Sequence, residues 1–169
     1  MPNSSRLQIA NALVALIETF QNPSTSQPLY EFVKLGNIFD PTAYTVWAEV
    51  THQQGKGGPE GSGGNQIAWR INEDVTFKVT SGFGPYEKDS SSTEAAMLET
   101  QDLLLPLLRK HFQLPDATNP TVAVQSVYRV LVEQSDVSHV VRFPNGHVYR
   151  LWDVFVMVSQ QYNVTLVQP

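Results

Sequence analysis

The sequence predicts an α+β protein with a mostly antiparallel sheet, an N-terminal helix, one long central helix and a long C-terminal hairpin. Two stretches carry apolar residues at helical spacing, whereas several others alternate β-branched or aromatic residues with polar ones. The strand-like stretches come in blocks around one central helix, which is typical of α+β proteins. Asn145-Gly146 lies between two apolar, β-branched runs, and this is a strong hairpin signal.

The first helical stretch begins at a cap formed by Ser4 or Ser5 and runs to about Phe20. Apolar residues recur along it every three or four positions, so one face is expected to be buried. That face consists of Ile9, Leu13, Leu16, Ile17 and Phe20.

The central helix is predicted to begin at a capping box and to end near Phe112. Ser91 and Glu94 have the spacing at which each side chain satisfies a backbone N–H of the first turn. The apolar residues of this stretch again share one face, which we expect to pack on the sheet. They are Met97, Leu98, Leu104, Leu105, Leu108 and Phe112.

The strands before the central helix surround a glycine-rich segment. Gln53–Gln66 contains six of the ten glycines and offers no apolar surface to bury, so it is predicted to be a mobile tip between two strands. A kink is expected at residues 72–74. The predicted strands are Tyr30–Leu35, Ala43–Thr51, then Ile67–Ile71 and Val75–Ser81 as one kinked strand, and a later strand within Val122–Val132.

The C-terminal hairpin, residues 138–159, has a register that follows from a two-residue turn at Asn145-Gly146. Under this register Val141 pairs with Arg150, and both faces of the hairpin are substantially apolar. The second strand, from His147 to Ser159, would span about 40 Å at about 3.3 Å per residue. We therefore expect either a bulge in this strand or a projection toward another subunit.

Composition sets outer limits on function. The 169 residues are expected to form a single domain, residues 1–169. There is no cysteine, which excludes disulfides and thiolate zinc sites, and the formal net charge of −5 argues against a nucleic-acid-binding surface. No apolar run spans a bilayer and no signal peptide is recognised, so a cytoplasmic protein without a membrane partner is expected.

Motifs that would carry chemistry are not recognised in the sequence. Gly55-Lys56-Gly57 lacks the P-loop spacing, and Ser62 lacks the glycine two residues earlier that a nucleophile elbow needs. The four histidines have no metal-ligand spacing. We therefore expect no catalytic residue, no metal and no cofactor. The alternative interpretation is a small enzyme or ligand-binding domain. This alternative predicts a deep cleft lined by polar residues with shifted pKa values.

The order of elements resembles that of the tail terminator proteins of tailed bacteriophages. The resemblance comprises the N-terminal helix, the lead Phe39–Val50 into a strand, a flexible tip, the strand Val75–Thr80, the helix Thr93–Phe112 and the closing strands. It implies a structural, non-enzymatic virion protein assembled in the host cytoplasm as a homo-oligomeric ring, expected to be a hexamer. Such a ring caps the tail tube, ends tail assembly and joins the tube to the head-side connector, while DNA passes through the lumen without specific binding.

Contacts with partners in such a ring are predicted for loops and for the hairpin. The segments Gln53–Gln66 and Gly82–Ser92 would reach a partner or the lumen, with Phe83 and Tyr86 as aromatic anchors. For the hairpin arginines, cross-strand pairing with Asp153 is the simpler explanation. The candidate partner-binding residues are Lys56, Glu60, Phe83, Tyr86, Arg142, Arg150 and Trp152.

Overall fold

The computed structural model describes residues 6–41, 43–60, 68–86, 91–111, 113–124 and 127–165. It contains two helices and five strands in these ranges. Their bounds are α1 Arg6–Glu18, β1 Phe32–Leu35, β2 Val46–Glu60, β3 Ala68–Phe83, α2 Ser91–Arg109, β4 Val127–Arg142 and β5 Val148–Thr165.

The five strands form one sheet in the order β1-β2-β3-β5-β4. β1 runs parallel to β2, and every other neighbouring pair is antiparallel. The predicted α+β class with a mostly antiparallel sheet is therefore confirmed. Both helices contribute to the main core on one face of the sheet, where α1 supplies residues such as Leu13 and α2 supplies Leu104.

The opposite face carries a second, smaller apolar cluster. Ile38, Trp47, Tyr149 and Leu151 are buried there, and the segment 36–45 between β1 and β2 supplies part of the cover. Gly82 makes this packing possible, because a Cβ at that position would lie 2.1 Å from the Trp47 ring. The indole lies directly on the glycine backbone of the neighbouring strand.

The predicted apolar face of α1 is confirmed, since all five of its residues are buried. The proposed caps at Ser4 and Ser5 fall outside the described residues, as does Phe112. The stripe of α2 is correct except at Leu98, which is 56% exposed, so that part of the prediction is wrong. Glu94 accepts hydrogen bonds from Tyr86 and pairs with Arg150, so its carboxylate serves tertiary contacts.

The prediction of a mobile tip is wrong for residues 53–60, because β2 continues through them to Glu60 and pairs with β3. Strand pairing is made by backbone N–H and C=O groups. A glycine-rich segment can therefore form a strand when the neighbouring strand extends along its whole length. Residues 61–66 of the predicted tip fall outside the described part. The kink expected at 72–74 is also wrong, since β3 pairs with β5 there without interruption and the irregularity lies in β2, between His52 and Gln54.

The hairpin exists, but its predicted register is wrong by one residue. Phe143 N donates to His147 O at 2.9 Å, and Gly146, with φ of 87°, closes a three-residue loop. A two-residue turn would require an N–H from Pro144, which proline lacks. Val141 consequently pairs with Tyr149 and lies on the face opposite the helices. β5 is longer than predicted, and its residues Arg150–Thr165 pair with β3 without a register shift.

Candidate assembly surface

The outer edge of β4 is the longest open edge of the sheet among the described strands. β4 spans 16 residues and pairs only with β5, so its outward N–H and C=O groups have no strand partner in the described part of the chain. Tyr128 is 58% exposed and Val140 is 57% exposed on this strand. Unpaired backbone groups flanked by exposed apolar side chains form a template for another strand.

The opposite edge of the sheet is only partly covered. β1 pairs with β2 from Trp47 to Val50 and then ends. From Thr51 onward, the outer edge of β2 has no partner among the strands that the structure describes. The sheet therefore has two different open edges, β4 on one side and the second half of β2 on the other.

Three strands, β2, β3 and β5, continue beyond the point at which Arg6 of α1 contacts Glu73 of β3. This extension of the sheet is called the arm. The arm is defined here as residues 56–60 of β2, 68–74 of β3 and 159–165 of β5. At its base, the Arg6 guanidinium donates to the Glu73 carboxylate, and Gln160 Nε2 donates to the same carboxylate at 2.8 Å. From Glu73, β3 extends back to Ala68, a further ~16 Å at about 3.3 Å per residue.

Arg150 belongs to a polar network that joins β5 to α2. Its Nη2 atom lies 3.0 Å from Glu94 Oε1, its Nη1 donates to Ser138 at 3.0 Å, and Tyr86 OH donates to Glu94 at 2.5 Å. Burial raises the pKa of Tyr86, and the hydrogen bond to Glu94 acts in the same direction. The simpler explanation offered for Arg150, cross-strand pairing with Asp153, is therefore wrong, since Asp153 accepts from Thr80 instead.

The seven predicted partner residues do not form one site. Phe83 is fully buried and Trp152 is 2% exposed, so a contact through them is incompatible with the folded core. Tyr86 and Arg150 are half-buried in the network described above. Of the others, Lys56 is exposed in the arm, Glu60 ends β2 opposite Arg70, and Arg142 donates to Gly146 O at 3.2 Å beside the hairpin turn.

The groups with shifted pKa values are dispersed over the described part of the structure. Burial raises the pKa of Tyr30, which shares a hydrogen bond with Ser81 at 2.7 Å. Hydrogen bonds from Thr118 and Gln8 lower the pKa of Asp116 to about 2 in a surface loop. This dispersion differs from the single polar cleft that the enzyme alternative predicts.

The structure also reports on metals and membranes for the residues it describes. Within that part of the chain, no three His, Asp or Glu side chains are grouped so that they could hold a metal ion. In the same ranges, neither helix has the length and hydropathy needed to cross a bilayer.

Comparisons with known proteins find similarity among solved structures only. No protein-family model matches the chain, and no curated protein matches it. Among solved structures, the chain is similar to the sheath/tube terminator, in the extended state, of the extracellular contractile injection system PVC. Identity is 10%, the TM-score is 0.48, and the alignment covers 98% of this chain and 61% of that chain. Values this low assign neither a fold family nor a function.

Proposed function

We propose that this chain is a structural ring subunit at the end of a bacteriophage tail tube. In this role the ring caps the tube, stops its growth and presents a surface to the head-side connector. The observation that carries the proposal is the open 16-residue edge of β4, with exposed Tyr128 and Val140. Edge strands of this length are normally blunted or covered, and a second copy is the simplest cover.

The positions of the two open edges favour a ring. β4 lies at one end of the sheet order and the open half of β2 lies near the other, so one copy offers each neighbour a different surface. Such head-to-tail contacts close into rings when the rotation between copies allows it. We propose six copies, as the resemblance implies. The formal charge of −5 per chain suits a lumen through which DNA slides without sticking.

The test measures assembly of the purified chain, alone and with the tail tube protein of the same phage. Mass by analytical ultracentrifugation and negative-stain images should show rings, either free or at tube ends, and tubes should become uniform in length. Val140→Lys should abolish the rings, because a lysine on an edge strand opposes pairing. Leu98→Lys, at an exposed site on α2, is the matched control and should leave them intact.

A chain that stays monomeric at every concentration and leaves tube length unchanged would contradict the proposal. Rings that survive Val140→Lys would retain the ring but remove β4 as its interface. The two results are separable, because mass reports the ring and the variant reports the edge.

A further inference from the structure

Phe39 is the most exposed of the large hydrophobic side chains in the described residues, at 76%. It lies in the segment between β1 and β2, on the face opposite the helices. Its neighbour Ile38 is only 7% exposed, and Pro41 is also buried. One aromatic ring is therefore exposed in a segment that Ile38 and Pro41 anchor in the fold.

Hydrogen bonds on both sides of Phe39 hold the segment that carries it. Ile38 N donates to Glu49 Oε2 at 2.8 Å, and Asn145 Nδ2 donates to Asp40 Oδ1 at 2.9 Å. The segment is thus held to β2 on one side and to the β4–β5 turn on the other. An anchor ordered before binding loses less conformational entropy when a partner covers it.

An apolar cleft of about 330 Å³ lies on the helix side of the molecule. It runs between the last turn of α1 and the segment 115–120, beside the C-terminal end of α2. About 150 Å³ is enough for a benzene ring in a protein cavity, so the cleft has room for a phenylalanine side chain. Its lining includes Ala15, Leu16, Thr19, His111, Pro115 and Ala117.

Charge favours the same match between Phe39 and the cleft. Asp40 follows Phe39, whereas exposed Arg109 and Lys110 directly precede His111 at the cleft. Asp116 in the cleft accepts hydrogen bonds from Thr118 and Gln8 and stays ionised, because they lower its pKa to about 2. It therefore opposes Asp40, and the two basic side chains supply the net attraction. The aromatic anchor and the cleft are two different surfaces of the same copy, as in any head-to-tail contact.

We infer that Phe39 of one copy inserts into the cleft between α1 and the segment 115–120 of the next copy. This inference rests on the proposed ring and adds a second contact to the one at the strand edges. The occupant of the cleft is a second copy of this chain. Phe39 is the anchor residue of the contact, and Asp40 with the basic end of α2 sets its orientation.

Cysteine cross-linking tests the contact directly, because the natural chain has no cysteine. Phe39→Cys and Ala117→Cys are made in separate chains, mixed, and assembled under mild oxidation. A disulfide-linked dimer should form in the mixture and not with either variant alone, and the double variant should give a ladder of oligomers. Leu98→Cys mixed with Ala117→Cys is the matched control, since Leu98 is also exposed but lies outside both surfaces.

Truncation of the anchor supplies an independent readout. Phe39→Ala should weaken self-association at least about tenfold, as expected for an aromatic anchor, whereas Leu98→Ala should change it less than about twofold. Rings that form with no cross-link above the control and no effect of Phe39→Ala would overturn the inference and leave the ring intact. Rings that form normally but no longer bind tubes after Phe39→Ala would assign Phe39 to the tube protein and also overturn it. A chain without rings on or off tubes removes both proposals.

Discussion

The two ends of the β2–β3 ladder are held in different ways. At the body end, from Val46 to Thr51 of β2, apolar side chains such as Val50 and Val79 pack under the helices. At the arm end the ladder continues through glycines, and a polar network at Glu73 holds its base. The difference shows that one continuous ladder can combine a core held by apolar packing with an arm held by backbone pairing and by polar side-chain contacts, at Glu73 and in the pairs Asp74–Ser159 and Asn72–Gln161.

The largest expected effect lies at the body end, with Phe77→Ala. Phe77 is 1% exposed, and its removal leaves a cavity in the main core. We expect the free energy of unfolding to fall by about 3–5 kcal/mol, measured by chemical denaturation. Phe155→Ala is the matched control, because Phe155 lies on the next strand and on the opposite, half-exposed face. Equal losses in the two variants would contradict the division between a packed face and an open one.

Two glycines, one at each end of the ladder, sharpen the comparison. A Cβ at Gly82 would lie 2.1 Å from the buried Trp47 ring, so Gly82→Ala should cost about 3 kcal/mol in unfolding free energy. A Cβ at Gly55 would meet Arg6 Nη2 at 2.8 Å and Glu73 Oε1 at 3.0 Å, so Arg6 must shift and its pairing with Glu73 is weakened. Gly55→Ala should still cost only about 1 kcal/mol, because Arg6 is half exposed and the reduced entropy of the unfolded chain offsets part of the loss. Near-equal melting temperatures for the two variants would refute this difference.

The polar anchor of the arm is tested by Glu73→Gln, with a smaller expected effect. Gln at 73 can still accept one hydrogen bond, but the charge that pairs with Arg6 is lost, and Arg6 is about half exposed. We expect a loss of about 1 kcal/mol in unfolding free energy. Hydrogen exchange should accelerate most at residues 70–76 of β3. The exposed Glu133→Gln serves as the control, and acceleration spread evenly over the sheet would show that the arm is not a separate unit.

The sequence predicted the parts of this fold that local patterns specify. The apolar face of α1 follows from the spacing of its apolar residues along the helix. The placement of Trp47 and Ala48 on opposite faces of the sheet follows from the alternation of side chains along a strand. The arm was missed because glycine content indicates a loop, whereas its strand state depends on the distant partner strand β5. The predicted hairpin register was wrong because Pro144 has no N–H to donate. The two-residue turn that Asn-Gly favours would need that hydrogen bond.

The candidate surface was harder to predict than the fold. Phe83 and Trp152 have the residue types of interface anchors, but burial depends on tertiary packing and not on type. Phe39 carried no sequence signal of its own, since an isolated aromatic beside Ile38 and Pro41 is equally consistent with a buried turn. Exposure at this position is set by Glu49 and Asn145, which lie far apart in the chain.

The smallest expected effect on stability is that of Glu49, whose carboxylate lies at the body end of the ladder on the face opposite the helices. Burial raises the pKa of Glu49, while the N–H of Ile38 and nearby Lys78 act against this. The folded state therefore holds this proton more tightly than the unfolded chain, so ionisation above the usual value of 4.5 disfavours folding. Glu49→Gln keeps an acceptor for Ile38 and removes that penalty.

The melting temperature of Glu49→Gln should equal that of the natural chain below about pH 4 and exceed it slightly at pH 7. Thermal melts across this range, with Glu133→Gln as the control for surface charge, measure the difference. If the variant is instead less stable at pH 7, then attraction to Lys78 and the charged hydrogen bond outweigh burial. In that case the segment that carries Phe39 is held by a charge, and its order should weaken as the pH falls.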